Sequence, residues 1–353
     1  MKITQVIDYL KSYDGRQLKL MEVCGTHTVA IFRAGIRQIL PPHVELVSGP
    51  GCPVCVTDDA YIDKAIEYSL RPNTIIATFG DMLKVPGSRS SLSLAQAEGA
   101  DIRIIYSPLD AVDIARDNPD RRVIFLAVGF ETTAPTAAAA VLTAQSMRLK
   151  NFFALSAHKL VPPVMRALLD SNDTRVDGFL LPGHVAVVIG ADAFRFLSTD
   201  YKMSGVVAGF EPQEILRALD RLLSSIEEHR AEVVNEYQSV VRAEGNPAAQ
   251  SILDRVYEVC DADWRGIGRI AQSGLKMRDE FSSFDIERVD PIEVEPPTKR
   301  TGCRCGEVLR GVIDPIDCPL FGKKCEPLNP IGPCMVSVEG VCAAWYKYNR
   351  SDQ

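Results

Sequence analysis

A chain of 353 residues is longer than one hydrophobic core usually supports, so two or three packed domains are expected. With 46% apolar and 24% charged residues the composition is that of a globular protein, which excludes wholesale disorder. The formal charge of −7, without any strong basic block, excludes the electrostatic footprint needed for nucleic acid or an anionic membrane.

The N-terminal run MKITQVIDYLKSYDG mixes charged and apolar residues at helical spacing and has no uninterrupted apolar core of the kind a secretory signal needs. The most apolar stretch, Thr132 to Ala144, falls short of the roughly 20 residues required to cross a bilayer. A soluble, cytoplasmic protein is expected. In a reducing compartment the ten cysteines are not a disulfide framework, and metal binding or thiol chemistry becomes the leading reading.

In MEVCGTHT an apolar strand ends at Cys24, with His27 three residues on; the cysteine reads as a nucleophile or ligand, the imidazole as a proton acceptor or ligand. A packed cysteine beside a hydrogen-bonded histidine is the alternative. GPGCPVC then places Cys52 and Cys55 in a Cys-x-x-Cys pair within a Gly- and Pro-rich turn, suited to dithiol–disulfide cycling or to chelation of one metal. A partly buried turn is the alternative there.

Several β-rich runs end in polar loops and lead into helical patterns, as parallel βαβ units do. Thr74 to Thr78 leads into FGD, Ile102 to Tyr106 into SPLDA, Val123 to Val128 into GFETT, and Phe152 to Leu155 into SAHK. Gly178 to Leu181 leads into PGHV and Val206 to Ala208 into GFEP. These loops would lie at the carboxyl ends of their strands, where open α/β sheets bind ligands. His158 and His184 could line one cleft, with satisfied structural histidines as the default, and Glu131, Thr132 and Thr133 could supply polar contacts at a domain interface unless the threonines only cap the following helix. The repeated Gly-Phe-Glu at 129–131 and 209–211 suggests two α/β domains of related design. A long helix is expected from Glu214 to about Arg242, then irregular sequence after Asn246, with VDPIEVEPP as an extended connector.

Six of the ten cysteines, at 303, 305, 318, 325, 334 and 342, crowd into the tail. Four thiolates suffice for a 4Fe-4S cluster or a structural zinc. Widely spread cysteines among apolar residues, as in CPLFG and CAAWY, differ from the paired knuckles of zinc ribbons and favour iron–sulfur. Cys260, Cys303 and Cys334 read as small buried hydrophobes. No GxxxxGK[ST] or GxGxxG segment occurs, so no nucleotide site of those types is expected.

Taken in order, MEVCGTHT, GPGCPVC, FGD with VPG, YSPLDA, GFETT, PGHV, VAGFEP, DWRGIG, RCGEVL, CPLFG and CAAWY resemble the hydrogenase maturation HypD family across nearly the whole chain. The resemblance implies an α/β fold of two similar βαβ-type domains with parallel sheets plus a third, cysteine-rich iron–sulfur domain. The expected division is residues 1–20 as a helical segment packing with the third domain, 21–120 and 121–242 as the α/β domains, and 243–353 as the third. It also implies a scaffold for the Fe(CN)2(CO) unit of NiFe hydrogenase, working with the small chaperone HypC, with HypE as cyanide donor and the hydrogenase large subunit as eventual recipient. Cys24 would be the iron ligand shared with HypC and His27 its support; Cys52 and Cys55 would be a redox pair or further iron-site thiols. Cys305, Cys318, Cys325 and Cys342 would hold a 4Fe-4S cluster. Some members carry a second histidine after CGxHx, where this chain has Val29, which puts a required role for that histidine in doubt. An assembly factor is thus expected more than an enzyme turning over a metabolite. The competing readings are a cluster-linked thiol–disulfide oxidoreductase acting on a protein, and a zinc-stabilised binding module.

Overall fold

The computed structural model describes residues 3–171, 173–295 and 302–349. Eleven strands are present among them: β1 (Leu18–Glu22), β2 (Val44–Ser48), β3 (Thr74–Thr78), β4 (Asp101–Ile104), β5 (Arg122–Ala127), β6 (Phe152–Ser156), β7 (Gly178–Pro182), β8 (Ser204–Ala208), β9 (Val233–Asn235), β10 (Tyr257–Trp264) and β11 (Gly268–Met277). Two sheets are wholly parallel, in the orders β2-β1-β7-β8-β9 and β4-β3-β5-β6; β10 and β11 form an antiparallel hairpin. The strands β3, β7 and β8 are buried at every residue, which is why they read as unbroken apolar runs: helices cover both faces.

The expected parallel α/β class is observed, with one Gly-Phe-Glu loop after β5 and the other after β8, one in each sheet. The sheets, however, do not divide the chain at residue 120. The chain lays down β1 and β2, builds all four strands of the second sheet, and returns to complete the first with β7, β8 and β9. Nor does the N-terminal helix Ile3–Ser12 go to the tail. Its buried Val6 and Leu10 join Leu18, Leu20, Leu216 and Leu219 on the first sheet, against the helix Pro212–Glu227.

That helix stops well before Arg242. His229 takes a left-handed φ of 53°, and Arg230 N–H bonds back to Ser225 O at 2.8 Å while His229 N–H bonds to Ile226 O at 3.1 Å. This is a Schellman end, and it frees Val233 and Val234, which look helical in the sequence, to pair with β8. After Asn246 the chain is ordered as well. The Asn246 side chain accepts from Ala248 and Ala249 N–H, capping the helix Pro247–Val256, and the β10–β11 hairpin follows. Of the expected connector, Pro296 and Pro297 lie outside the described residues. No helix of the described residues is long and apolar enough to cross a membrane.

Candidate functional site

Strands β1 and β2 are parallel neighbours with Glu22 opposite Ser48, so the loops leaving them emerge side by side at the carboxyl edge of the first sheet. Cys24 ends the first loop as the residue before the helix Gly25–Arg33; Cys52 ends the second as the residue before the short helix Pro53–Val56. Gly49 N–H bonds to Glu22 O at 2.7 Å and Gly25 N–H to Gly51 O at 3.0 Å, which sutures the two loops. A Cβ at Gly51 would run into the backbone of Val23 and Cys24, so glycine is what lets the loops close.

Cys24 is 8% exposed, Cys52 2% and Cys55 fully buried. Burial pushes the Cys24 thiol up to about 12. The backbone N–H groups of Thr26 and His27 point towards its sulfur and pull the other way, although no full capping hydrogen bond is closed. Beneath it lies Glu22, 1% exposed, whose carboxylate accepts Cys24 N–H at 2.9 Å and the Thr28 hydroxyl; burial raises its pKa too.

The His27 ring is held by the GFEP loop. Its Nε2 is 2.9 Å from Gly209 O, and the ring stacks on Phe210 at 4.5 Å, with His184 stacked on Phe210 at 3.8 Å. Burial holds His27 down at about 4, so it is a neutral ring locking the Cys24 helix to the GFEP loop. His158 is elsewhere. It follows β6 in the second sheet and lines a different cleft with Lys159 and Cys260, so the two histidines expected in one cleft are apart because their strands belong to different sheets. Glu131 is buried, one oxygen accepting Val161 N–H at 2.9 Å and the other unpartnered.

The tail cysteines converge. Cys303, Cys305, Cys318, Cys325, Cys334 and Cys342 line one cavity with Val308, Leu320, Phe321 and Met335. Ile331 N–H points at Cys325 Sγ at 3.3 Å, and Gly302 O lies 3.9 Å from Cys318 Sγ. Among the described residues no three or more His, Cys, Asp or Glu side chains are disposed to hold a single metal ion. Six soft sulfur donors around an apolar enclosure have the chemistry that holds an iron–sulfur cluster or a structural zinc.

Cys334 is packed in the core, as expected of a small hydrophobe, and it also stands among the other thiols. It is 1% exposed, it lines the cavity with Cys303, Cys305 and Cys342, and its turn, Pro333–Met335, packs on the helix Pro53–Val56 that carries Cys55, close enough for the two thiols to act on each other's protonation. A row of sulfurs thus runs from the Cys-x-x-Cys pair into the tail cavity. The hairpin holds it in place: Thr57 bridges to Trp264, Arg265 N–H bonds to Val56 O at 2.9 Å, and Gly266 packs on Gly306 with no room for a side chain on either. Two acids that the sequence did not single out lie near the site, Glu339 from the tail, whose charge acts on Cys24, His184 and Asp81, and Asp81 from the loop after β3, whose pKa burial raises. Asp81 lies in an FGD loop already marked as site material, whereas nothing local distinguishes Glu339.

A sequence profile of the HypD family, described as the hydrogenase formation hypA family, matches residues 1–349. The chain is 47% identical over 345 residues to the hydrogenase maturation factor HypD of Azotobacter vinelandii, spanning 96% of this chain and 91% of that one. It is 43% identical over 362 residues to the HypD of Escherichia coli (strain K12), spanning 99% and 96%, and 42% identical over 352 residues to that of Rhodobacter capsulatus, spanning 98% and 93%. With the profile covering nearly every residue and relatives of this identity matched end to end, the chain belongs to the HypD family of hydrogenase maturation factors.

Proposed function

We propose that this maturation factor is the cytoplasmic scaffold on which the Fe(CN)2(CO) unit of NiFe hydrogenase is put together. The observation that carries the reading is the row of sulfurs from Cys52 and Cys55 through Cys334 to the tail cavity, begun in a loop that is sutured to the one carrying a separate, nearly buried thiol at Cys24. Cys24 offers one thiolate to the iron being dressed. Burial disfavours that thiolate in the free protein, and a bound cation reverses the balance, so the thiol gives up its proton as iron arrives. HypC would hold the same iron from the other side, docking in the groove of about 740 Å³ that opens beside Thr26 between the helices Gly25–Arg33 and Val341–Tyr348. HypE would deliver cyanide there, and the large subunit would receive the finished unit.

When bound, a 4Fe-4S cluster in the tail cavity supplies one-electron chemistry. Cys318, Cys325 and Cys342 with Cys305 would hold it; Cys303 stands beside Cys305 as the rival fourth ligand, because the Cys305 thiol is also engaged with Cys334. Cys52 and Cys55 can pass between dithiol and disulfide, releasing two electrons and two protons, and the Cys55–Cys334 contact is their connection to the cavity. The same contact favours a second reading, a cluster-linked thiol–disulfide oxidoreductase, whose activity would survive loss of Cys24.

Anaerobic purification with iron, sulfide and zinc analysis and Mössbauer spectroscopy tests both. About four irons and four sulfides per chain, lost in Cys318→Ala and retained in Cys24→Ala, are expected. Cys24→Ala should also abolish hydrogenase maturation; a variant that still matures hydrogenase removes the iron-ligand assignment, and zinc without sulfide removes the electron relay.

A further inference from the structure

The stretch between Cys334 and Cys342 is pinned at both ends by cysteines of the tail cavity, and its middle lies on the start of the Cys24 helix. A Cβ placed at Gly25 would stand 2.5 Å from Glu339 O and 2.6 Å from its Cβ, so the strap packs directly on the residue after Cys24. The Thr26 hydroxyl donates to Glu339 Oε1 at 2.7 Å, and Thr26 is one of the two residues whose backbone N–H points at the Cys24 sulfur. The strap has internal order of its own. Glu339 N–H reaches Ser337 Oγ at 3.3 Å, Ser337 is 2% exposed, and Gly340 packs on the Cys334 carbonyl with no room for a side chain. Beyond it, Trp345 meets Phe32 edge to face at 5.5 Å, and the Arg37 guanidinium sits over both rings.

We infer that Glu339 is a positioning residue for Cys24: through Thr26 and Gly25 it seats the Cys24 loop, and the strap carries the occupancy of the tail cavity to that thiol. The inference rests on the cluster reading above only for its second half. A cavity filled and gripped by Cys342 fixes the strap's ends, which keeps Glu339 on Thr26 and Cys24 covered. An emptied cavity releases the strap, and the Cys24 loop becomes accessible.

The test is site-resolved alkylation by iodoacetamide at pH 8, read by mass spectrometry on the full-length protein. It is run as purified anaerobically and after iron removal with a chelator and ferricyanide followed by re-reduction of the thiols, with iron and sulfide measured on every sample. Glu339→Gln and Thr26→Val should each label Cys24 faster, on the order of tenfold for loss of a charge-assisted hydrogen bond. The double variant should label no faster than either single one, since both remove the same bond, and Cys260 should label at an unchanged rate throughout. Iron removal should accelerate Cys24 labelling in the wild type and leave Glu339→Gln unmoved. Equal rates for wild type and Glu339→Gln overturn the positioning role; acceleration of Cys24 and Cys260 together overturns it as general loosening. Equal wild-type rates before and after iron removal overturn the transmission. A protein without iron or sulfide overturns the cluster reading, while Glu339→Gln acceleration in that same sample still supports the seat.

Discussion

Burial governs the chemistry of single residues here, and it does so with opposite signs. Glu131 is pushed up from 4.5 to about 7 by burial, with no cation to offset it. Between those values the folded protein keeps a proton that the unfolded chain releases, so stability falls as pH rises and levels off above about 7. His158, pushed down to about 3, and His27, pushed down to about 4, act the other way: below 6.5 the unfolded chain takes up protons these rings refuse, and stability falls as pH drops. Comparison with Glu131→Gln isolates the carboxyl. Denaturant unfolding should show the Gln variant gaining on the wild type by about 3 kcal/mol between pH 4.5 and 7, as a shift of 2.5 units implies. A pH-independent difference would mean that Glu131 is ionised in the folded protein.

At the scale of elements, the site depends on loops closing against each other more than on any one helix. Gly51→Ala should drive the GPG loop off the Cys24 backbone, costing about 2 kcal/mol and impairing hydrogenase maturation, because the added methyl meets main chain and not a side chain that could rotate away. Ser107→Ala is the control. Ser107 and Asp110 form a capping box on the helix Pro108–Asp117 beside the second sheet, and its loss should cost about 1 kcal/mol without affecting maturation. Equal maturation defects in the two variants would show that stability, not loop closure, limits the pathway. His27 also acts at this scale, as the lock between the Cys24 helix and the GFEP loop.

For the whole molecule the decisive feature is that the second sheet is inserted between β2 and β7 of the first. A single core joins them, from Met21 and Val47 through Ile76, Ile124 and Leu126 to Trp264, Val308, Cys334 and Trp345. Residues 21–120 expressed alone would carry part of β1 with β2, β3 and β4 but lack β7 and β5, the central partners of both sheets. That fragment should show neither cooperative unfolding by circular dichroism nor dispersed amide resonances; a folded fragment would contradict the interdependence of the sheets. Parallel pairing across such separations also predicts slow folding of the intact chain.

Much of this was legible in the residues themselves. The parallel α/β class followed from buried apolar runs ending in Gly, Ser or Pro, the N-terminal helix from its spacing, and the family from the order of its motifs, because these are local patterns of polarity and turn chemistry. Strand β9 was not, since Val233 and Val234 continue a helical spacing that the left-handed turn at His229 interrupts. Strand partnership was not either: a parallel strand names no neighbour, so nothing along the chain says that β1 pairs with β7. The packing of the Cys55 helix on the Cys334 turn, the holding of His27 by the GFEP loop and the seat of Glu339 on Gly25 are all contacts between segments distant in sequence. Spacing fixes what neighbours along the chain can do, and only the packed core decides which distant groups meet.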